Sequence, residues 1–141
     1  MEKQLILTTS CKINAPIEKV WDALTNPVMI KKYFFGTEAV SDWKVGSPLI
    51  FRGEWEGKAY EDKGIILELE KNKKLKYNYW SSFSGTEDIP ENYANITYEL
   101  AREGNVTIFT LTQDGFKDEE QKAHSEKNWK MLMDAMKALI E

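Results

Sequence analysis

Between Thr37 and Gln113 apolar residues recur at every second position, and on both sides of that stretch they recur at helical spacing. The alternating part predicts strands. Leu49 and Phe51 alternate with Ile50 and Arg52, and Ile65, Leu67 and Leu69 alternate with Ile66, Glu68 and Glu70. Leu75, Tyr77 and Tyr79 alternate with Lys76, Asn78 and Trp80. Ile96, Tyr98 and Leu100, then Phe109 and Leu111, continue the pattern. The connections Lys71-Asn72-Lys73 and Arg102-Glu103-Gly104-Asn105 are short and polar, so neighbouring strands run antiparallel with one face inward. Residues 3–13, rich in Leu, Ile and Thr, predict one more strand. Periodicity is lost from Ser81 to Asn92, which predicts a long surface loop.

Helical segments flank the strands. Asn14-Ala15-Pro16 opens the first, because proline is tolerated where its missing N–H would have no partner. Val20, Trp21 and Leu24 give it an apolar side. Asn26-Pro27 stops it and caps a second short helix through Lys32, with Gly36 as terminator. A long helix is predicted from Glu119 to Ile140, capped by Asp118 with Gln121 in a capping-box position. It would span about 33 Å. Trp129, Leu132, Met133, Met136, Leu139 and Ile140 form its apolar face. A one-sided antiparallel sheet has to cover that side, and only this helix is long enough. The pattern therefore predicts an α+β fold: one strand, two short helices, five or six antiparallel strands, and a long C-terminal helix over the apolar face of the sheet.

Composition narrows the class without naming an activity. The chain has 141 residues, 42% hydrophobic and 30% charged, which suits a single domain over residues 1–141. Nineteen basic against 23 acidic side chains leave a net charge of −4. That argues against a nucleic-acid partner, which calls for a dense basic face. Cys11 is the one cysteine, so no internal disulfide is expected. No signal peptide and no run of ~18 apolar residues is found, so no membrane association and a cytoplasmic location are expected.

The run from Ile13 to Pro27, INAPIEKVWDALTNP, resembles the opening signature of the START, polyketide cyclase and birch-pollen-allergen (SRPBCC) superfamily. More narrowly it resembles the branch named after the activator of the heat-shock-protein-90 ATPase. Asp42-Trp43-Lys44-Val45-Gly46 resembles that branch's tryptophan-x-valine-glycine turn, and Gly64 to Tyr79 its glycine-led strand and hairpin. Thr97 to Phe116 resembles its last strand pair, and Asn128-Trp129 onward its closing helix. Tyr33-Phe34-Phe35 stands where the family often has a tryptophan, and Gly46-Ser47-Pro48 where it often has a glycine pair. The resemblance implies a helix-grip fold, in which a curved antiparallel sheet wraps a long C-terminal helix propped by the two short helices between the first and second strands, with an internal cavity between sheet and C-terminal helix, used by many members for an apolar or amphipathic small molecule. A chaperone partner is also possible on this resemblance, but nothing else in the sequence supports one.

The candidate ligand wall is aromatic and apolar: Phe51, Leu67, Tyr77, Tyr79, Tyr98, Phe109, Leu111, Trp129, Met133 and Met136. The same residues would serve equally as a filled core. Gln113 follows Phe109 and Leu111 in register, so its amide points inward to orient a ligand or to bond a nearby turn. Binding of a small hydrophobic or aromatic molecule is the leading expectation, with no cofactor and no metal. A cyclase, dehydratase or hydrolase using the same cavity is an alternative, as is a module regulating a chaperone ATPase. No catalytic constellation is recognised. His124 and Glu120 share a helix face but lack further metal ligands. Ser125 is misplaced for a base, and Glu54 and Glu56 read as an exposed hairpin end.

Overall fold

The computed structural model describes residues 5–34, 36–55, 57–81, 87–116 and 118–141. Strand β1 (Leu7–Ile13) leads into helices α1 (Ile17–Thr25) and α2 (Pro27–Tyr33). Six strands follow: β2 (Glu38–Ser41), β3 (Pro48–Trp55), β4 (Lys58–Glu70), β5 (Lys74–Tyr79), β6 (Ala94–Glu103) and β7 (Val106–Gln113). Helix α3 (Glu119–Ile140) closes the chain with the predicted bounds. The seven strands form one antiparallel sheet in the order β1-β7-β6-β5-β4-β3-β2, so the first strand returns beside the last. With its three helices this is the α+β helix-grip fold.

The helix boundaries follow local chemistry. Pro16 is the N-cap of α1, one position earlier than a first-turn proline. Asn26 ends α1 and caps α2, its side chain accepting a bond from the Val28 N–H at 3.0 Å, with Pro27 opening the new helix. Gly36 follows α2 at φ +78 and donates its N–H to the Lys31 carbonyl, closing the helix end. Asp118 caps α3 by accepting from the Gln121 N–H at 2.8 Å. Of the predicted inner face of α3, Leu132, Met133, Met136 and Ile140 are buried; Leu139 is exposed, so the buried stripe is narrower than expected. Buried side chains of this kind each contribute roughly 1.5–3 kcal/mol.

Strand β4 departs from the predicted phase. Asp62, Gly64 and Ile66 face inward, and Ile65 and Leu67 face out. The cause is a β-bulge between Ile66 and Glu68: Ile66 pairs with Tyr77 and Glu68 with Lys76, so Leu67 is an extra residue on β4. Beyond it the phase inverts, and Leu69 packs against the core as expected. Just before it the two backbones crowd together. A Cβ on Gly64 would lie 1.6 Å from the Asn78 carbonyl oxygen, and the Ile65 N–H donates to the Asn78 side chain at 2.7 Å.

Gly64→Ala should therefore destabilise the protein by about 3 kcal/mol, since the backbone of β5 has to move. Urea unfolding of the parent and variant measures it, and an unchanged midpoint would show that the close approach is not required.

Candidate functional site

The inner face of the sheet carries a continuous chain of aromatic rings. Phe34, at the end of α2, stacks on Phe51 of β3 with centroids 5.6 Å apart and planes 12° apart. Phe51 meets Tyr77 at 6.1 Å and Tyr79 at 6.5 Å, both on β5. Tyr77 meets Tyr98 edge-on at 5.5 Å. Tyr98 in turn meets Phe109 of β7 at 5.4 Å and Trp129 of α3 at 6.0 Å, again edge-on. Such offset and edge-on pairs add roughly 0.5–1.5 kcal/mol each beyond the area they bury. The inward alternation of β3, β5, β6 and β7 places these rings on one side of the sheet.

Their polar atoms are matched to one another. The hydroxyls of Tyr77 and Tyr98 share a hydrogen bond of 2.7 Å in the buried interior. Tyr33 donates its O–H to the Ala23 carbonyl at 2.8 Å, tying α2 to α1. Trp129 donates its indole N–H to the Gln113 side-chain oxygen at 2.7 Å. The Gln113 amide thus holds the C-terminal helix to β7 through Trp129, where the sequence leaves open a ligand or a nearby turn as its partner. Tyr79 donates to the Asp62 carboxylate at 2.7 Å. Thr37 and Tyr60 bond through their hydroxyls, and the Tyr60 ring lies across Gly53 on the facing strand.

The expected wall residues Phe51, Tyr77, Tyr79, Tyr98, Phe109, Leu111, Gln113, Trp129, Met133 and Met136 are buried or half-buried. Leu67 is corrected: at 38% exposure it stands on the outer face, and Ile66 at 0% takes the inward place because of the bulge. Among the described residues a void of about 10 Å³ lies on the inner side of the sheet, large enough for roughly one water. The void lies toward α1 and α2 and not against α3, and is bounded by Leu24, Ile30, Tyr33, Phe34, Trp43, Leu49, Phe51, Leu75, Tyr77 and Tyr98.

Sequence reasoning missed Asp62, Phe34 and Trp43. Asp62 is 8% exposed, an inward carboxylate where none was expected. Its signal lies in the spacing Asp62, Gly64, Ile66, in phase with Phe51 on the facing strand and opposite in phase to the apolar repeat that starts at Ile65. Trp43 sits in the turn before β3 at φ 55, held by its N–H donating to the Ser41 hydroxyl at 3.0 Å. Among the other candidates, His124, Glu120 and Glu54 are exposed, and Glu56 and Phe35 lie outside the described residues. No group of three or more potential metal ligands is found among the described residues. None of the described helices is long and apolar enough to cross a membrane. Cys11 is half-buried, and burial pushes its thiol upward.

The chain belongs to the Activator of Hsp90 ATPase homolog 1-like family, whose model matches residues 14–141. Within the broader superfamily this is the branch that the opening signature resembles. The chain is similar to a Cytophaga hutchinsonii protein known from its solution structure, at 47% identity and TM-score 0.86 over 99% of this chain and 95% of that one. It shares its fold with the solution structure of the Aha1 dimer from Colwellia psychrerythraea, at 20% identity and TM-score 0.77 over 97% and 96% of the two chains. A Micromonospora echinospora protein known from its crystal structure has the same fold at 22% identity and TM-score 0.72, over 94% of this chain and 74% of that one. No curated protein matches the chain significantly. Family and fold are consistent with a ligand-binding or interaction module.

Burial holds the hydroxyls of Tyr33, Tyr77, Tyr79 and Tyr98 above the usual tyrosine range, with smaller contributions from one another and, for Tyr77 and Tyr79, from Asp62. The unfolded chain ionises these groups near pH 10 and the folded chain does so only at higher pH. Their contribution to stability is therefore complete below about pH 10 and declines as pH rises beyond it. In an alkaline titration followed by phenolate absorbance, they should ionise together with loss of the far-ultraviolet circular dichroism. Ionisation of all tyrosines near the ordinary value, with the fold intact, would contradict their burial.

Proposed function

We propose that the protein reversibly binds a small apolar or aromatic molecule between its sheet and its helices, without cofactor chemistry. The observation that carries this reading is the wall of the void. Eight of its ten residues are buried inside regular elements or against them. The remaining two, Phe34 and Trp43, are half-buried and stand on the connections before and after β2. Phe34 lies flat on Phe51, the arrangement a planar guest would adopt. In the closed form the protein's own ring occupies the guest's place.

Uptake then requires Phe34 to leave, and its release lowers the apparent affinity by the fraction of molecules already open. The guest regains that cost by removing its apolar surface from water, about 25 cal/mol for each Å². Indole is a suitable probe. The unmodified protein should bind it with chemical-shift changes concentrated at Phe51, Leu75 and Tyr77. Phe34→Ala removes the competing ring and should tighten binding roughly tenfold. Failure of the unmodified protein to bind indole at saturating concentration would end the reading, whatever the variant does.

A second reading, a protein-interaction module acting on a chaperone ATPase, is favoured by the outer face of the sheet. Val40, Pro48, Ile65 and Leu67 are exposed there, with Val45 on the adjoining turn. Pro48 and Ile65 are direct cross-strand neighbours, so part of this surface is contiguous. Contiguous exposed apolar surface marks an interaction site when it is large enough. Immobilised protein should then retain a purified Hsp90-class ATPase at equal stoichiometry and lose it on Ile65→Glu. No retention by the unmodified protein rejects this reading.

A further inference from the structure

We infer that the guest carries a neutral hydrogen-bond acceptor, and that the hydroxyl pair of Tyr77 and Tyr98 selects for it. This rests on the proposed binding of an aromatic molecule at Phe51 and adds the polar group that such a molecule bears. Tyr77 on β5 and Tyr98 on β6 both bound the void, and both are buried. They are diagonal neighbours on the inner face, Tyr77 opposite Ile96 and Tyr98 opposite Leu75. Their hydroxyls lie 2.7 Å apart and share one hydrogen bond. A pair of hydroxyls brings two protons to such a bond and uses one of them. The other proton has no acceptor among the described residues. Leaving a buried donor unmatched is costly, and native interiors rarely keep one.

The pair stands next to the place proposed for the guest. Phe51, on which Phe34 stacks, meets Tyr77 at 6.1 Å, and Tyr77 meets Tyr98 at 5.5 Å. A guest ring seated on Phe51 therefore lies one ring away from the hydroxyls, and a short substituent on it would be the part that meets them. The third tyrosine of the wall does not compete, because Tyr33 already directs its O–H at the Ala23 carbonyl at 2.8 Å. Two features make the acceptor neutral. None of the described residues that bound the void carries a charge, so an ionised carboxylate there would be buried without a counter-ion. Burial also keeps both hydroxyls protonated well above neutral pH, so that the pair offers a donor and not a phenolate.

Acetophenone and α-methylstyrene have nearly one shape and differ in a carbonyl oxygen against a methylene group, while benzoate adds a negative charge. Each is titrated into the full chain at neutral pH beside indole and followed by nuclear magnetic resonance. Without an acceptor contact, desolvation of its carbonyl would make the ketone bind roughly tenfold or more weakly than the hydrocarbon. With the contact, acetophenone should bind at least as tightly as α-methylstyrene, and benzoate should bind weakest. The double variant Tyr77→Phe/Tyr98→Phe keeps both rings and removes both hydroxyls together, so no polar partner is stranded. It should weaken acetophenone roughly tenfold relative to α-methylstyrene. The carbonyl carbon resonance of bound, isotope-labelled acetophenone should also lie further downfield in the unmodified protein than in the variant. If the ketone binds more weakly than the hydrocarbon in the unmodified protein, or if their ratio survives the double variant, the inference fails while the binding site stands. Benzoate bound as tightly as acetophenone overturns the neutral acceptor, and so does binding of indole with no binding of the ketone. If no probe binds, indole included, the aromatic site and its selectivity fall together. The comparison of ketone with hydrocarbon on the unmodified protein does not depend on how well the variant folds.

Discussion

Strand β4 changes phase once along its length, because Leu67 is an extra residue against β5. On the Lys58 side of that bulge Asp62, Gly64 and Ile66 point into the molecule; on the Glu70 side Leu69 does. A strand without the bulge would keep one set inside throughout, as side-chain direction has a strict period of two. Either Asp62 would then lie outside or Leu69 would. Gly64 supports the arrangement from the neighbouring position, where the Asn78 carbonyl leaves no space for a side chain. The small inward residues of β4 also let Phe51 on β3 meet Tyr77 and Tyr79 on β5 across the strand between them. The contiguity of the aromatic cluster and the inward carboxylate thus share one local cause.

The two sides of the interior are held together differently, and the difference matters for function. On the α3 side the packing is tied by a directed bond from Trp129 to Gln113 and by edge-on rings around Tyr98. Opening that side would break the hydrogen bond between the half-buried Trp129 and Gln113, at a cost of about 0.5–1.5 kcal/mol. On the α2 side Phe34 and Trp43 make the wall from connecting segments, and Phe34 packs chiefly through its ring. Apolar stacking can be exchanged with a guest of similar shape, whereas a hydrogen bond shielded from solvent has to be replaced in kind. On this physical asymmetry the proposed binding would use the α2 side, whereas the family resemblance implies the side of the C-terminal helix.

Much of the fold was legible because it rests on local and periodic signals. The Asn26-Pro27 cap, the Asp118 cap, the polar hairpin turns and the 22 residues of α3 each follow from side chains next to one another in sequence. The family signature from Ile13 to Pro27 extended this to the whole architecture, and the family model agrees over residues 14–141. The site was less legible. Ten of the eleven expected wall residues are buried or half-buried, but the void is bounded partly by Phe34 and Trp43, which belong to no periodic pattern. Leu67 and Leu139 show the limit of periodicity itself: each sits on an apolar repeat, and each is exposed.

By itself, then, the sequence determined the elements, their order and the aromatic character of the inner face, because period and capping act over a few neighbouring residues. Tertiary structure alone decided which way β4 faces at Asp62, which partner satisfies Gln113, and how much room remains beneath Phe34. Those depend on a bulge, a helix and two connections meeting in space, and a side chain's direction or the volume left between facing elements is set by residues far apart in the chain.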